Sequence, residues 1–254
     1  TKINQVNTGD KTISLTISDA SDATNVRQIL ANLADTDVKA TFFLNGLTDP
    51  DIIGEIIAQG HEIGNHTYTQ DDATNLSIAE IEWELITMEE MVQNNSGVTS
   101  RPYFRAPMGE TTDTILAVAA GLGYDYTIGW TVDTRDWTGT LTAAEISETV
   151  VNTLAPGSIY LLHGNATAAT TPEALRQMIA AVRAEGYKFA TISNLLSLEG
   201  YYPEEPVVEI PVVNEVSKLV NHVNTNQQVV SLTISGVSDD EQIDAILQNL
   251  GTLG

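Results

Sequence analysis

Six side chains that can hold a cation or move a proton stand in the same kind of place along this chain: Asp19, His66, Arg105, Asp133, Asp136 and His163. Carboxylate and imidazole groups are the types that ligate divalent metals and serve as general acids and bases near neutral pH. Each of the six lies at or just after the C-terminal end of a segment that reads as a β-strand. In parallel α/β barrels the loops following the strands converge on one mouth. The placement therefore predicts one shared polar cleft rather than scattered surface groups.

The elements that must carry these residues alternate from residue 12 to about residue 198. Ile13, Leu15 and Ile17 alternate with polar residues, and Val26, Ile29, Leu30 and Leu33 recur at helical spacing behind a cap at Ser21 or Asp22. Further strand and helix pairs are predicted at 39–45 and 50–59, 61–64 and 77–93, 103–105 and 111–121, 124–130 and 142–154, and 157–162 and 172–185. A last strand is predicted at 188–191. This order predicts an α/β fold, a distorted parallel (β/α)7-type barrel over 1–198. Trp130 reads as core, the Trp83, Met88 and Met91 stripe as helix packing, and His61 as a structurally bonded histidine in a buried strand.

Beyond the barrel the character changes. Pro203, Pro206 and Pro211 break regular structure and make 199–220 read as a linker. In 221–254, Ser231-Leu232-Thr233-Ile234-Ser235 repeats Ser14-Leu15-Thr16-Ile17-Ser18, and Ile246, Leu247, Asn249 and Leu250 fall opposite Ile29, Leu30, Asn32 and Leu33. This is a truncated second copy of the first βα unit, with Gly236 at the position of Asp19. One βα unit buries too little apolar surface to fold alone, so 221–254 is expected to dock on the barrel, swap with another molecule or meet a neighbouring tandem domain.

With 11 Lys and Arg against 34 Asp and Glu, the formal charge of −23 repels phosphate and argues against nucleic acid or an anionic membrane surface as partner. A neutral or partly cationic glycan remains compatible. The absence of cysteine excludes disulfides and thiolate metal sites. No apolar run is long enough to insert across a membrane, and no signal peptide is read at Thr1.

Two segments, Leu15-Thr16-Ile17-Ser18-Asp19-Ala20-Ser21 and Gly60-His61-Glu62-Ile63-Gly64-Asn65-His66-Thr67-Tyr68-Thr69-Gln70, resemble the first two motifs of the polysaccharide deacetylase family (NodB homology, carbohydrate esterase family 4), which run TFDDGP and GHEIGNHTYSH. Arg105-Ala106-Pro107-Met108-Gly109, Asp133-Thr134-Arg135-Asp136-Trp137 and Leu161-Leu162-His163 resemble the remaining three, in order. The resemblance implies a divalent metal, zinc by preference, at Asp19, His66 and the position of Gln70. It also implies a base at the position of Ser18 and an acid at His163 oriented by Asp136. Arg105 would wall the groove and Met108 would offer a backbone N–H to an oxyanion. Trp137, Leu161 and Leu162, with Asp133 of the fourth motif, would form the acetyl pocket. The implied partner is an acetylated polysaccharide, peptidoglycan or chitin-like, and the implied location is extracellular or the cell wall.

Two departures from those motifs bear on chemistry. Ser18 stands where the family has the basic Asp, and loss of a general base costs about 10²- to 10⁴-fold in rate. Gln70 stands where it has the second metal His, leaving fewer than the three protein ligands usual for catalytic zinc. Asp71 or Asp72 could refill the ligand position and Asp22 the base position, the latter only if it does not cap the helix. Three readings follow: a glycan-binding domain with impaired catalysis, a working metal-dependent hydrolase of N- or O-acetyl groups, and a structural module of a tandem array.

Overall fold

The strand β2 (Thr12–Ser18) is buried along its whole length. Ile13, Leu15 and Ile17 enter the apolar layer beneath α1 (Ala23–Thr36) and α6 (Thr171–Ala184). The intervening Thr12, Ser14, Thr16 and Ser18 take the opposite face, as the period of two in a strand requires. The computed structural model describes residues 1–198, so the linker reading of 199–220 and the repeat reading of 221–254 lie outside the described residues.

From one edge of β2 the sheet continues through β3 (Thr41–Leu44), β4 (Glu62–Asn65), β5 (Tyr103–Phe104) and β6 (Tyr126–Ile128) to β1 (Lys2–Ile3). From the other edge it continues through β8 (Ile159–His163) to β7 (Val132–Asp133), and β9 (Lys188–Phe189) pairs with the start of β2. Every strand pair is parallel. The N-terminal segment spans the seam between β6 and β8. Gly129 N–H donates to Ile3 O at 2.7 Å and Val6 N–H to Gly157 O at 2.9 Å. The result is the distorted, curled parallel barrel that the alternation predicts, with helices outside it.

Some details differ from expectation. The run predicted at 124–130 is a strand only over Tyr126–Ile128; Gly129, whose Cβ position Asn4 fills, follows it, and the chain resumes as β7. β1 and α7 (Ile192–Leu196) carry no periodic signal of their own at two and five residues. The remaining helices, α2 (Pro50–Ala58), α3 (Ile78–Ser96), α4 (Asp113–Gly121) and α5 (Ala143–Asn152), lie close to their predicted spans. Asp22 takes the α1 cap, accepting from Asn25 N–H at 2.8 Å. Reciprocal capping boxes, Ser77 with Glu80 and Thr142 with Glu145, start α3 and α5.

α7 stops the N-terminal mouth of the barrel. Its Ile192, Leu195 and Leu196 join Ile3, Phe43, Tyr103, Ile128 and Ile159 in the lower core. Ile192 N–H donates to Thr41 Oγ1, at the first residue of β3. Burial of an aliphatic side chain of this size stabilises by about 1.5–3 kcal/mol, so a short helix with three of them is held by packing rather than propensity. The opposite, C-terminal mouth stays open.

Candidate functional site

A cleft of about 410 Å³ opens at that C-terminal mouth, lined by Ser18, Asp19, His66, Gln70, Met108, Trp130, Asp133, Trp137, Leu161 and His163, with Asn165 and Thr167 at its edge. Residues more than a hundred positions apart meet there because parallel strands deliver their last residues to one end.

Asp19 follows β2 in a left-handed conformation, φ 52°, which turns its carboxylate back over the strand ends. Asn45, just past β3, donates to Asp19 Oδ1 at 2.8 Å. Asp19 Oδ1 lies 3.8 Å from His66 Nε2. His66 Nδ1–H donates to Arg105 O at 2.7 Å, which leaves the Nε2 lone pair facing Asp19. Burial is the main reason that the imidazole pKa falls to about 4, and the Arg105 and His163 charges add to it against the pull of Asp19.

Gln70 lines the cleft but turns its amide nitrogen onto the His66 carbonyl and the Thr67 hydroxyl. Thr67 and Gln70 both sit at positive φ, 64° and 70°, so the turn that would present a second imidazole survives without one. The rescue residues do not converge. Asp72 caps the following 3-10 turn, accepting from Thr74 N–H at 3.0 Å, and Asp22 caps α1. Asp71 is exposed. Among the described residues, no three His, Asp or Glu side chains come together as a metal site. Asp19 and His66 supply two donors and Gln70 at best a carboxamide oxygen, so the set present does not fit catalytic zinc.

Arg105 departs from its expected place. It is fully buried beneath the cleft rather than forming a wall of it. Nε donates to Ile128 O at 3.0 Å, Nη2 to Gly129 O at 2.9 Å and Nη1 to Ser18 Oγ at 3.2 Å, while the guanidinium stacks 4.0 Å from the centre of the Phe43 ring. Burial lowers its pKa to about 9, with Asp19 opposing the fall.

On the far side, His163 ends β8 and its Nδ1–H donates to Asp136 Oδ1 at 2.8 Å. Asp136 Oδ2 accepts from His163 N–H at 2.8 Å and from Thr171 Oγ1 at 2.6 Å. A buried carboxylate bonded this way fixes the ring and its tautomer, leaving Nε2 for the cleft, as an acid or base at that point requires. Asp133 accepts from Arg135 N–H at 2.8 Å and from Trp137 Nε1 at 3.3 Å, which sets the indole against the pocket. Leu161 faces the cleft, whereas Leu162 points into the outer core, so of the two leucines only Leu161 has its expected place. Trp130, read as core, packs against the lower core and also lines the cleft; Gly109, at φ 74°, leaves the space its ring fills.

Sequence reasoning also missed Asn45 and Thr171. Asn45 could have been found, since it ends a predicted strand as Asp19 and His163 do. Thr171 starts α6, and nothing local marks its hydroxyl as a partner of Asp136. His61 is only half satisfied: Nδ1 accepts from Ala40 N–H at 3.2 Å and Nε2 is buried without a partner among the described residues.

A family model described as polysaccharide deacetylase matches residues 5–127. Over 197 residues the chain is 30% identical to a peptidoglycan-N-acetylglucosamine deacetylase of Bacillus cereus, covering 76% of this chain and 91% of that protein. Among solved structures it resembles a CE4 family pseudoenzyme from Bacillus anthracis at TM-score 0.72 and 32% identity, covering 77% of this chain and 69% of that one. A mutant of that pseudoenzyme with restored enzymatic activity matches at TM-score 0.72 and 33% identity, covering 77% and 71%. A family 4 acetyl xylan esterase from Clostridium thermocellum in complex with a cobalt ion matches at TM-score 0.69 and 30% identity, covering 75% and 93%. Identity at that level over nine-tenths of a relative, on the same barrel, establishes the kinship: the chain belongs to the polysaccharide deacetylase family.

Proposed function

We propose that this chain is a glycan-binding member of its family in which hydrolysis is impaired, acting on acetylated polysaccharide outside the cell or in the cell wall. The observation that carries the reading is the pairing of Ser18 with Arg105 at one side of the cleft and of Gln70 with the His66 carbonyl at the other. Those two side chains stand where a base and a metal donor would be needed, and both are engaged otherwise. The rest of the cleft keeps what recognition needs. Trp137, Leu161, Met108 and Trp130 give an apolar lining, and His163, Asn165 and Asp133 give polar groups able to meet an amide or hydroxyl. The similarity to a pseudoenzyme supports this reading, as does the peptidoglycan deacetylase among the relatives for the class of glycan.

The test is direct. Purified protein incubated with chito-oligosaccharides and with N-acetylated peptidoglycan fragments is expected to bind them saturably and to release no acetate. Trp137→Ala is expected to weaken binding by about tenfold, the loss of one well-placed aromatic anchor. Stoichiometric zinc together with acetate release would favour the working hydrolase; neither binding nor release would leave the structural module.

A further inference from the structure

The α3 residue Trp83 does not pack into the core as its stripe predicts: Met88 does, while the indole is 52% exposed. It leans on Tyr68, ring centres 5.6 Å apart at 82°. Tyr68 in turn covers Gly46, where a side chain would collide with its ring, and Tyr68 O accepts from Gly46 N–H at 2.9 Å. Beside it Leu47 is 68% exposed, and its N–H donates to the Asn45 carboxamide that holds Asp19. Leu47, Tyr68 and Trp83 thus form an apolar group next to the cleft residues Asp19 and Gln70, joined to Asp19 through Asn45 and to Gln70 along the turn from Tyr68.

The platform is held rigid from below. Glu84, the neighbour of Trp83, is buried and accepts from Tyr68 N–H at 2.7 Å, Thr69 N–H at 2.8 Å and Thr69 Oγ1 at 2.6 Å. One helical step therefore clamps the turn carrying Tyr68 and sets the indole against its ring. An aromatic side chain already held in place loses little conformational freedom when a ligand settles on it.

We propose that Leu47, Tyr68 and Trp83 form a second sugar platform, which binds a residue of a linear glycan chain after that chain leaves the cleft. The proposal rests on the glycan-binding reading above. A polymer held in the cleft has to cross its rim, and beyond Asn45 and Gln70 the chain presents the exposed indole of Trp83 and the exposed side chain of Leu47. The C–H face of a pyranose ring stacks on such a surface while its hydroxyls stay in water. No cation lies among the three residues, so the platform suits a neutral or amino sugar better than an acidic one.

Binding of chitobiose and chitohexaose to the full chain, measured by calorimetry, tests this. Trp83→Ala is expected to weaken chitohexaose binding by about tenfold and to leave chitobiose binding unchanged, whereas Trp83→Phe restores most of the loss. Trp137→Ala is expected to weaken both. Wild-type chitohexaose binding that Trp83→Ala does not alter would overturn the platform and leave the glycan-binding reading standing. Failure of the wild type to bind either oligosaccharide would overturn both. Concentration-dependent self-association abolished by Trp83→Ala would assign the surface to a second copy of the chain and overturn the sugar platform. Because Trp83 is exposed, circular dichroism of the variants is expected to match the wild type.

Discussion

Ser18 accepts a hydrogen bond from a buried guanidinium that has no carboxylate within ion-pair distance among the described residues. Arg105 is kept in place by the carbonyls of Ile128 and Gly129 and by the Phe43 ring, so its charge stays where it is when the residue at position 18 changes. A carboxylate there would meet that charge and remain ionised at neutral pH, the state a general base needs. An imidazole at position 70 would give Asp19 and His66 the third donor that they lack. The double variant Ser18→Asp, Gln70→His is therefore expected to retain zinc through dialysis and to release acetate from chito-oligosaccharides. The rate should exceed wild type by at least about 10²-fold, and chelator should abolish it. Ser18→Asp alone should gain little. Metal analysis and an acetate assay check both variants, and no gain in either quantity would mean that the cleft has diverged beyond these two positions.

α3 works as a clamp along its whole length. Its Glu84 holds the turn after β4, and one turn and a half later Glu89 holds the segment before β5. Glu89 accepts from Ser100 N–H at 3.0 Å, from the Thr99 and Ser100 hydroxyls and from Arg101 Nη1 at 3.0 Å. Burial pushes the Glu89 pKa up, but the Ser100 and Thr99 hydrogen bonds and the Arg101 charge outweigh it and hold the group below the usual carboxylate range. A carboxylate whose folded pKa lies below its unfolded value, about 4.3, adds stability that is present above that value and is lost as pH falls through the folded one. Glu89→Gln is expected to cost about 1–3 kcal/mol at pH 7. The gap to wild type should close in acid, as urea melts between pH 7 and pH 3 would show. Much of this layer was legible in the sequence: the strand and helix alternation, the cap of α1 and the strand-end positions of Asp19, His66 and His163 all follow from periodicity and local chemistry. What was not legible depends on tertiary neighbours. β1 exists because β6 pairs with it, α7 because the lower core receives it, and Trp130 faces the cleft because Gly109 makes room. The burial of Arg105 likewise depends on carbonyls that lie more than twenty residues away.

At the scale of the whole molecule, 34 acidic against 11 basic residues leave a surface that repels itself. Among the described residues few of the charges form pairs, and the exposed Arg27 to Glu55 bridge, 2.7 Å, contributes little in water. Screening at a Debye length of about 10 Å near 0.1 M salt relieves such repulsion. The melting temperature is therefore expected to rise by about 2–5 °C between low salt and about 0.5 M sodium chloride. Calorimetry at fixed pH checks this, and a flat response would mean that counter-charge is better distributed than the composition implies. The parallel sheet has one further consequence. Thr1 is tied to Asp125 O, beside the start of β6, and Leu198 packs into the core closed by α7. Both places belong to the mouth opposite the cleft. A fluorophore, a surface tether or a foreign domain joined at residue 1 would thus leave from the back of the barrel. The barrel can be mounted by that point with its cleft facing outward, so binding to the cleft can be measured on a sensor chip or bead without altering its lining.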